Sequence, residues 1–94
     1  MSIQVLKIAG DSNINAVSRK IIQYAVSDGI LHVDCIGVKA TYTAVRALIQ
    51  ATEYLVNQGY RFNLRPYYTE VDVMVDEKTV KKTAIRWTLI AEKK

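Results

Sequence analysis

A lysine close behind a glycine, where a strand-like run gives way to an amphipathic one, is the sharpest candidate for chemistry in this sequence. Gly37 directly follows the strand-like residues 31–36. Lys39 lies two residues after Gly37 and two before Thr41. A loop between a strand and a helix exposes free backbone N–H groups and the positive end of the helix dipole. Such a point favours a phosphate, and the Lys39 ammonium would strengthen the attraction. An ordinary turn with an exposed lysine explains the same residues.

Three lysines in the last third of the chain form a second candidate for contacts with a polyanion. Lys78, Lys81 and Lys82 fall where two strand-like runs are connected. Four carboxylates stand nearby and offer these lysines cross-strand pairs: Glu70, Asp72, Asp76 and Glu77. The lysines therefore indicate either a clamp on a nucleic-acid duplex or an ordinary charged hairpin.

Arginines and tyrosines in strand-like segments form a third candidate. Arg61, Arg65 and Arg86 could form a basic stripe on the sheet face away from the helices. Tyr67 and Tyr68 lie close by, and aromatic rings beside cations suit base stacking of a single strand. Tyrosines of this kind also serve in packing and in protein interfaces.

The sequence gives little support to catalysis, so we predict that the protein is not an enzyme. His32 is the only histidine, and its alternation with Val33 predicts an exposed or edge position without a nucleophile beside it. One histidine with scattered carboxylates lacks the spacing of a metal site. The turn Gly10-Asp11-Ser12 lacks the lysine and second glycine of a phosphate-binding loop. We expect no cofactor and no metal.

Length and charge limit the possibilities further. With 94 residues, half of them hydrophobic, we expect a single domain over residues 1–94. The net charge of +4 sits in residues 81–94, which carry five basic side chains and one acidic. A lysine-rich solubilising edge explains this excess as readily as a polyanion does. Cys35 is the single cysteine, which excludes an intrachain disulfide. No secretory signal or membrane-length apolar segment is visible, so we predict a cytoplasmic protein.

Hydrophobic periodicity predicts alternating strands and helices in the first two thirds of the chain. The first predicted elements are a strand over 3–9, a turn over 10–13 and a helix from Ile14 that Gly29 stops after Ser27-Asp28. A strand over 31–36 and a helix from an N-cap at Thr41 to Gly59 follow. Along the second helix, Ala44, Ala47 and Ala51 are spaced for close packing.

The last third of the chain predicts β structure. A third strand begins at Tyr60, and Pro66 is predicted to interrupt or end it. Two period-two runs over 71–76 and 83–90, joined by the polar residues 76–79, predict a hairpin with one buried face. The resulting β-α-β-α-β-β order indicates an α/β two-layer sandwich with a mixed sheet, two helices on one face and a long C-terminal hairpin.

An ordered set of short segments resembles a known family. The segments are Val5-Leu6-Lys7-Ile8, the turn with Ser12 and Asn13, Asn15-Ala16-Val17, residues 37–47, Gly59, Pro66 and Thr83-Ala84-Ile85-Arg86. Together they resemble the stage V sporulation protein S family of bacteria, which is similar in fold to the Alba chromatin proteins of archaea. The resemblance covers nearly the whole chain.

The resemblance implies an Alba-like fold, a homodimer and nucleic-acid binding. In Alba-like proteins the nucleic-acid surface combines the turn before the first helix, the loop before the second helix and the hairpin arm. Carried over by position, the binding residues are Ser12, Asn13, Asn15, Lys39, Lys78, Lys81 and Lys82.

Two features depart from what the resemblance implies. Alba proteins usually carry lysine in the first turn, whereas this chain has Asp11, whose carboxylate would repel a phosphate. The hairpin between Thr69 and Thr83 is also longer than the family leads us to expect. A longer arm would reach further into a groove or onto a partner subunit.

Two functions follow from these observations. The leading hypothesis is a regulatory or architectural homodimer that binds DNA or RNA with low sequence specificity, through phosphate contacts at Lys39 and the hairpin. The alternative is a regulatory or scaffold module that keeps the Alba-like dimer and binds protein without nucleic acid; Asp11 and the acidic first strand of the hairpin favour it. Neither hypothesis includes a membrane or a small-molecule substrate as partner.

Overall fold

The chain folds into two layers, a four-stranded mixed sheet and two helices that pack on one of its faces. The structure is a computed structural model and describes residues 2–27 and 29–94. The elements are β1 (Ser2–Ile8), α1 (Ile14–Ala25), β2 (Gly29–Cys35), α2 (Val38–Asn57), β3 (Tyr60–Val75) and β4 (Lys78–Lys93). This confirms the predicted β-α-β-α-β-β order and the two-layer sandwich.

The strands lie in the order β1-β2-β4-β3, so that β1 and β3 form the edges. β1 and β2 are parallel and are connected through α1, whereas β4 is antiparallel to both of its neighbours. Because side chains alternate between the two sides of a strand, the sheet has a helix face and an uncovered face. We call the uncovered one the open face. It carries His32 and Thr88 at its centre.

The core lies between the helix face and the helices. Leu31, Val33 and Leu89 of the central strands are fully buried there, together with Ile21 of α1 and Leu55 of α2. The three alanines predicted to allow close packing of α2 are also completely buried: Ala44, Ala47 and Ala51. Neither helix, within the part of the chain described, is long and apolar enough to cross a bilayer.

Local chemistry explains where α1 begins and ends. The Asn13 side chain accepts a hydrogen bond from the Ala16 amide at 3.0 Å and so caps the helix. The Val26 amide closes the last turn by donating to Ile22 O at 3.0 Å. Gly29, the predicted helix stop, is the first residue of β2, and Asp28 before it lies outside the described residues.

The prediction that Pro66 interrupts or ends β3 is wrong. β3 pairs with β4 continuously from Tyr60 to Val75, with Pro66 opposite Trp87. A proline removes one donor from a strand, and an edge strand tolerates this because only one of its sides is paired. The predicted connection over 76–79 is also shorter than expected, since the two residues Asp76 and Glu77 make the whole turn. The outer part of the hairpin, residues 70–82, is called the arm below.

Candidate functional site

The first turn of the chain and the first turn of α2 are in direct contact. The Thr43 hydroxyl donates a hydrogen bond to Gly10 O at 3.1 Å. A Cβ placed on Gly10 would come 2.7 Å from the Cβ of Lys39, a separation that real side chains do not reach. Glycine is therefore required for this approach, and it brings Lys39 against the turn that carries Asp11, Ser12 and Asn13.

Helix α2 begins earlier than the sequence indicated. Its N-cap is Gly37, which has a left-handed φ of 88°, and Thr41 lies inside the helix with its hydroxyl donating to Gly37 O at 2.7 Å. The predicted N-cap at Thr41 is thus wrong. Glycine reaches this backbone conformation without strain, which allows the helix to begin after Gly37. Lys39 consequently belongs to the first helical turn, where the backbone amides have no partner within the helix. Lys39 is exposed, so its ammonium lies at the surface at the start of this helix.

The three polar residues carried over from the family have structural roles that use their acceptor oxygens. The Ser12 hydroxyl oxygen accepts from the Ala9 amide at 3.1 Å, and Asn13 caps α1. Asn15 Oδ1 accepts from Gln50 Nε2 at 3.0 Å and so ties α1 to α2. The hydroxyl proton of Ser12 and the side-chain N–H groups of Asn13 and Asn15 remain available as donors, which is the polarity that a phosphate requires.

The arm presents its three lysines on two different faces. Lys82 pairs with Val71 and Lys78 with Val75, so both lie on the face that carries the arm's valines. Lys81 lies on the other face, directly opposite Asp72, although no ion pair forms between them among the described residues. The structure therefore groups Lys78 with Lys82 and separates Lys81 from them.

A cleft of about 150 Å³ joins the base of the arm to the first turn. Lys7 and Gly10 line one side of it, and Val71 and Val73 line the other. Since Lys82 is the cross-strand neighbour of Val71, the register places it near this cleft. Lys7 was not predicted as a site residue, because the sequence shows it only as one residue of the first strand. The feature that could have indicated it is its position at the C-terminal end of β1, one residue before the buried Ile8.

The open face holds a buried ion pair. Arg86 Nε and Nη2 donate to the two carboxylate oxygens of Asp34 at 2.7 and 2.9 Å, and Asp34 is only 4% exposed. The hydrogen bond to the Asp34 carboxylate raises the pKa of the Arg86 guanidinium above its usual value. Such a bidentate pair holds both side chains in one geometry and neutralises Arg86.

The expected exposed or edge position of His32 is wrong. β2 is a central strand, and His32 is half-buried on the open face with Nδ1 2.9 Å from the Thr88 hydroxyl. Burial, followed by the nearby Arg86 charge, lowers the pKa of His32 below its ordinary value. The lowered pKa favours the neutral imidazole, which shares a hydrogen bond with the Thr88 hydroxyl.

The predicted arginine stripe exists, but only one of its members is unpaired. Arg61, Arg65 and Arg86 all lie on the open face, where Arg61 is bonded to Glu92 and Arg86 to Asp34. Arg65 makes no ion pair within residues 2–27 and 29–94, and its guanidinium lies 5.2 Å from the Tyr67 ring centroid. Tyr68 points to the opposite, helix face.

Cys35 is a buried thiol at the edge of the core. Its Sγ donates to Ile85 O at 3.4 Å, and burial raises the pKa of the thiol above its usual value. A thiol that stays protonated is a poor nucleophile and a poor metal ligand. No group of histidine, cysteine and carboxylate side chains in the described chain is arranged to hold a metal ion.

Helix α2 exposes an apolar stripe beside its buried face. Positions spaced alternately four and three residues apart form this α2 stripe: Val38, Tyr42, Val45, Ile49, Thr52 and Val56. Val38 is 88% exposed and Tyr42 is 63% exposed, whereas Thr52 is buried. Beside the stripe, a groove of about 580 Å³ runs between α2 and the β3–β4 hairpin, lined by Tyr42, Val45, Tyr68 and Ile85. The four–three spacing was the sequence signal for this surface.

Comparisons with known proteins agree with the fold. The family model of Stage V sporulation protein S (SpoVS) matches residues 4–92 of the chain. No curated protein sequence matches it. A solved structure of Alba from Thermoplasma volcanium is similar, with a TM-score of 0.64 and 9% sequence identity over 92% of this chain and 98% of that chain. At such low identity the likeness establishes the fold alone, which is Alba-like.

A second solved structure has a weaker likeness. Precorrin-6y C5,15-methyltransferase from Geobacter metallireducens GS-15 aligns with a TM-score of 0.43 and 11% identity, over 98% of this chain and 44% of that chain. A TM-score this low carries no argument about fold or function.

Proposed function

This chain belongs to the stage V sporulation protein S family and has an Alba-like fold, and we propose that it is a small dimeric protein that binds DNA or RNA with low sequence specificity. The proposed role is regulatory or architectural, it is carried out in the cytoplasm, and it involves no catalysis. The observation that carries the proposal is the contact between the first turn and Lys39 at the start of α2, beside the base of the arm.

The geometry supports phosphate binding at this place. The Lys39 ammonium, the unpartnered amides of the first turn of α2 and the side-chain donors of Ser12 and Asn13 surround one exposed surface. Lys7 and Lys82 extend it along the cleft towards the arm. All of these groups donate hydrogen bonds or carry positive charge, so they bind the backbone of a nucleic acid and leave the bases unread.

The dimer is supported by the α2 stripe and its groove. A stripe of mostly exposed apolar side chains from Val38 to Val56, next to an apolar groove, is a surface whose contact with water is unfavourable. A second copy of the same helix fits such a stripe, because the four–three spacing lets side chains from two helices interlock. A dimer would also double the phosphate contacts of the nucleic-acid surface.

Protein binding without nucleic acid is the second candidate function. The face of the arm that carries Lys81 also carries Glu70 and Asp72, and Asp11 stands in the first turn. These carboxylates would weaken a nucleic-acid clamp and suit a basic protein partner. A pull-down with and without nuclease separates the two functions, since partners held through nucleic acid are lost after nuclease treatment.

A salt-dependent titration tests the proposal directly. Labelled single-stranded DNA, duplex DNA and RNA of equal length are titrated with protein at several salt concentrations. Each phosphate neutralised contributes about 0.9 to the slope of log affinity against log salt for duplex DNA and about 0.7 for a single strand. We expect binding to all three ligands at low salt, with slopes of several units. Absence of binding at low salt contradicts the proposal.

The variant Lys39→Ala tests the site itself. It should weaken binding to every sequence alike and reduce the salt slope by about 1, as expected for one lost phosphate contact. Lys20→Ala is the matched control, because Lys20 is an exposed lysine on α1 that lies outside the proposed surface. Equal losses in the two variants would indicate an effect of net charge and would remove Lys39 from the site.

A further inference from the structure

The open face is a regular grid of side chains, set by the register of four strands. Each row runs from β1 through β2 and β4 to β3. The first row is Lys7, Asp34, Arg86 and Tyr67; the second is Val5, His32, Thr88 and Arg65; the third is Ile3, Ile30, Ile90 and Asn63. The grid passes from a charged row near the arm to an apolar row at the opposite end. No element packs over the second and third rows in the described part of the chain.

Hydrogen bonds fix the middle of this grid. The Thr88 hydroxyl lies 2.7 Å from the Tyr67 hydroxyl and 2.9 Å from His32 Nδ1, so one group holds both rings. The Asp34 carboxylate holds Arg86 beside them. Side chains that are already immobile lose little conformational entropy when a ligand settles on them, which favours a recognition surface.

Arg65 stands out among the arginines of this face. Arg86 and Arg61 are each neutralised by a carboxylate, whereas Arg65 makes no ion pair in the described residues. Its guanidinium lies over the Tyr67 ring at 5.2 Å and its side chain is exposed. A planar cation backed by an aromatic ring offers its outer side to a nucleobase, because a base stacks on a guanidinium as it does on a ring.

We propose that the open face is a binding platform for single-stranded nucleic acid, with one base stacked on the Arg65–Tyr67 pair and its neighbours lying over the apolar third row. Ile3, which is 61% exposed, and Ile90 supply that apolar row. A four-stranded sheet of this size accommodates about two or three bases. The platform rests on the proposed function for its ligand class, but its stacking pair, Arg65 and Tyr67, is not part of the phosphate surface formed by Lys39 and the arm.

The geometry favours a single strand over a duplex. Stacking on Arg65 requires a base whose flat side is free, and a duplex buries those sides between neighbouring base pairs. Outside the arm, the open face carries four cations (Lys7, Arg61, Arg65 and Arg86) against two carboxylates (Asp34 and Glu92), a balance that suits the phosphates of the bound strand.

The experiment compares a labelled oligothymidylate of about 10 nucleotides, within the usual site size of single-strand binders, with a hairpin duplex of similar length. Fluorescence anisotropy is recorded for the whole protein and four variants. Tyr67→Leu removes the ring, and Arg65→Lys keeps the charge but removes the plane. Tyr67→Phe keeps the ring without its hydroxyl. Tyr60→Leu is the matched control, because Tyr60 also lies under a cation, Lys93 Nζ at 4.6 Å, but on the helix face.

We expect Tyr67→Leu and Arg65→Lys to bind the oligothymidylate about 5- to 150-fold more weakly, the range for loss of one base-stacking contact. Both should bind the hairpin duplex within twofold of the wild type. Tyr60→Leu should bind both ligands as the wild type does. Tyr67→Phe, which keeps the ring but loses the hydrogen bond to Thr88, should weaken oligothymidylate binding less than Tyr67→Leu does. Thermal melting shows that each variant is folded, and Arg65→Lys changes only an exposed side chain, so its result stands even where a ring substitution destabilises the sheet.

Three results would overturn the platform. If Tyr67→Leu and Arg65→Lys bind the oligothymidylate normally while Lys39→Ala does not, the platform is wrong and the proposed function stands. If the wild type binds neither ligand, both fail together. If Ile3→Lys or Ile90→Lys lowers the mass measured by light scattering without changing binding of the oligothymidylate, the open face is a protein contact.

Discussion

At the scale of single residues, Asp11 sets the electrostatic potential of the first turn. It is exposed and lies in the same turn as Ser12, against the start of α2 that carries Lys39. We expect Asp11→Lys to bind duplex DNA more tightly whatever its sequence, because a repelling charge is replaced by an attracting one. The salt slope should steepen by about 1, which corresponds to one added phosphate contact. The measurement is the salt-dependent titration of the variant beside the wild type.

Glu53→Lys is the control for this change. Glu53 is an exposed carboxylate on the same helix as Lys39, 14 residues further on and therefore about 20 Å away along the axis. Glu53→Lys changes the net charge by the same amount as Asp11→Lys, without placing a cation at the first turn. If the two variants gain equal affinity, the first turn is no special point of contact and overall charge governs binding.

His32 gives the folded state a pH dependence of definite sign. Its pKa lies below the ordinary value of 6.5, because burial and Arg86 disfavour the imidazolium. The unfolded chain therefore binds more protons, and the stability that neutral His32 contributes is complete above 6.5 and lost as pH falls through the lowered pKa. Between about pH 7.5 and 5.5 the melting temperature of the wild type should fall more than that of His32→Asn. Parallel curves for the two proteins would show that another group dominates.

At the scale of elements, the turn of the arm is strained. Asp76 and Glu77 have positive φ values of 50° and 64°, which suit a two-residue hairpin turn but are unfavourable for residues with a Cβ. Glu77→Gly should stabilise the protein by about 1 kcal/mol against denaturant, because glycine adopts this conformation without the penalty. Glu77→Ala removes the same carboxylate and keeps the Cβ, so it should give no such gain. An equal gain from alanine would attribute the effect to charge.

The order and type of the elements could be predicted because hydrophobic periodicity and turn residues determine them locally. Their boundaries could not, since these depend on contacts made elsewhere. Pro66 looked like a strand end, yet β3 continues because Pro66 falls in an edge strand. Thr41 looked like an N-cap, but Gly37 caps α2, and the close approach of Gly10 to Lys39 fixes the position of its first turn.

The composition of the candidate site was predictable only in part, for the same reason. The family resemblance selected Lys39 and the first turn, and the structure brings them together. The family resemblance also selected three lysines on one hairpin. Only the strand register shows that Lys81 lies on the opposite face from Lys78 and Lys82. The side-chain period of a strand is two, so a shift of one residue in register would exchange the faces. The open-face grid likewise follows from long-range pairing that no local pattern specifies.

Helix α2 links the element scale to the whole molecule. Ala44, Ala47 and Ala51, predicted to allow close packing, are buried in the core, whereas Val45 and Ile49 lie outside it. A sequence period shows that a helix has an apolar side without showing how many neighbours cover it. The two surfaces of α2 therefore suggest two partners, the chain's own sheet and a second chain.

At the scale of the whole molecule, the α2 stripe is expected to hold two copies together. Tyr42→Glu should reduce the mass measured by light scattering from that of a dimer to the 10.6 kDa of one chain, because an unpaired carboxylate would be buried at the contact. The single chain should tolerate it, since Tyr42 is exposed there. Tyr54→Glu, an exposed tyrosine of α2 outside the stripe, should leave the dimer intact. The monomeric variant should also show a shallower salt slope for a long duplex, because half of the phosphate contacts are lost. A dimer that survives Tyr42→Glu would place the contact between copies elsewhere.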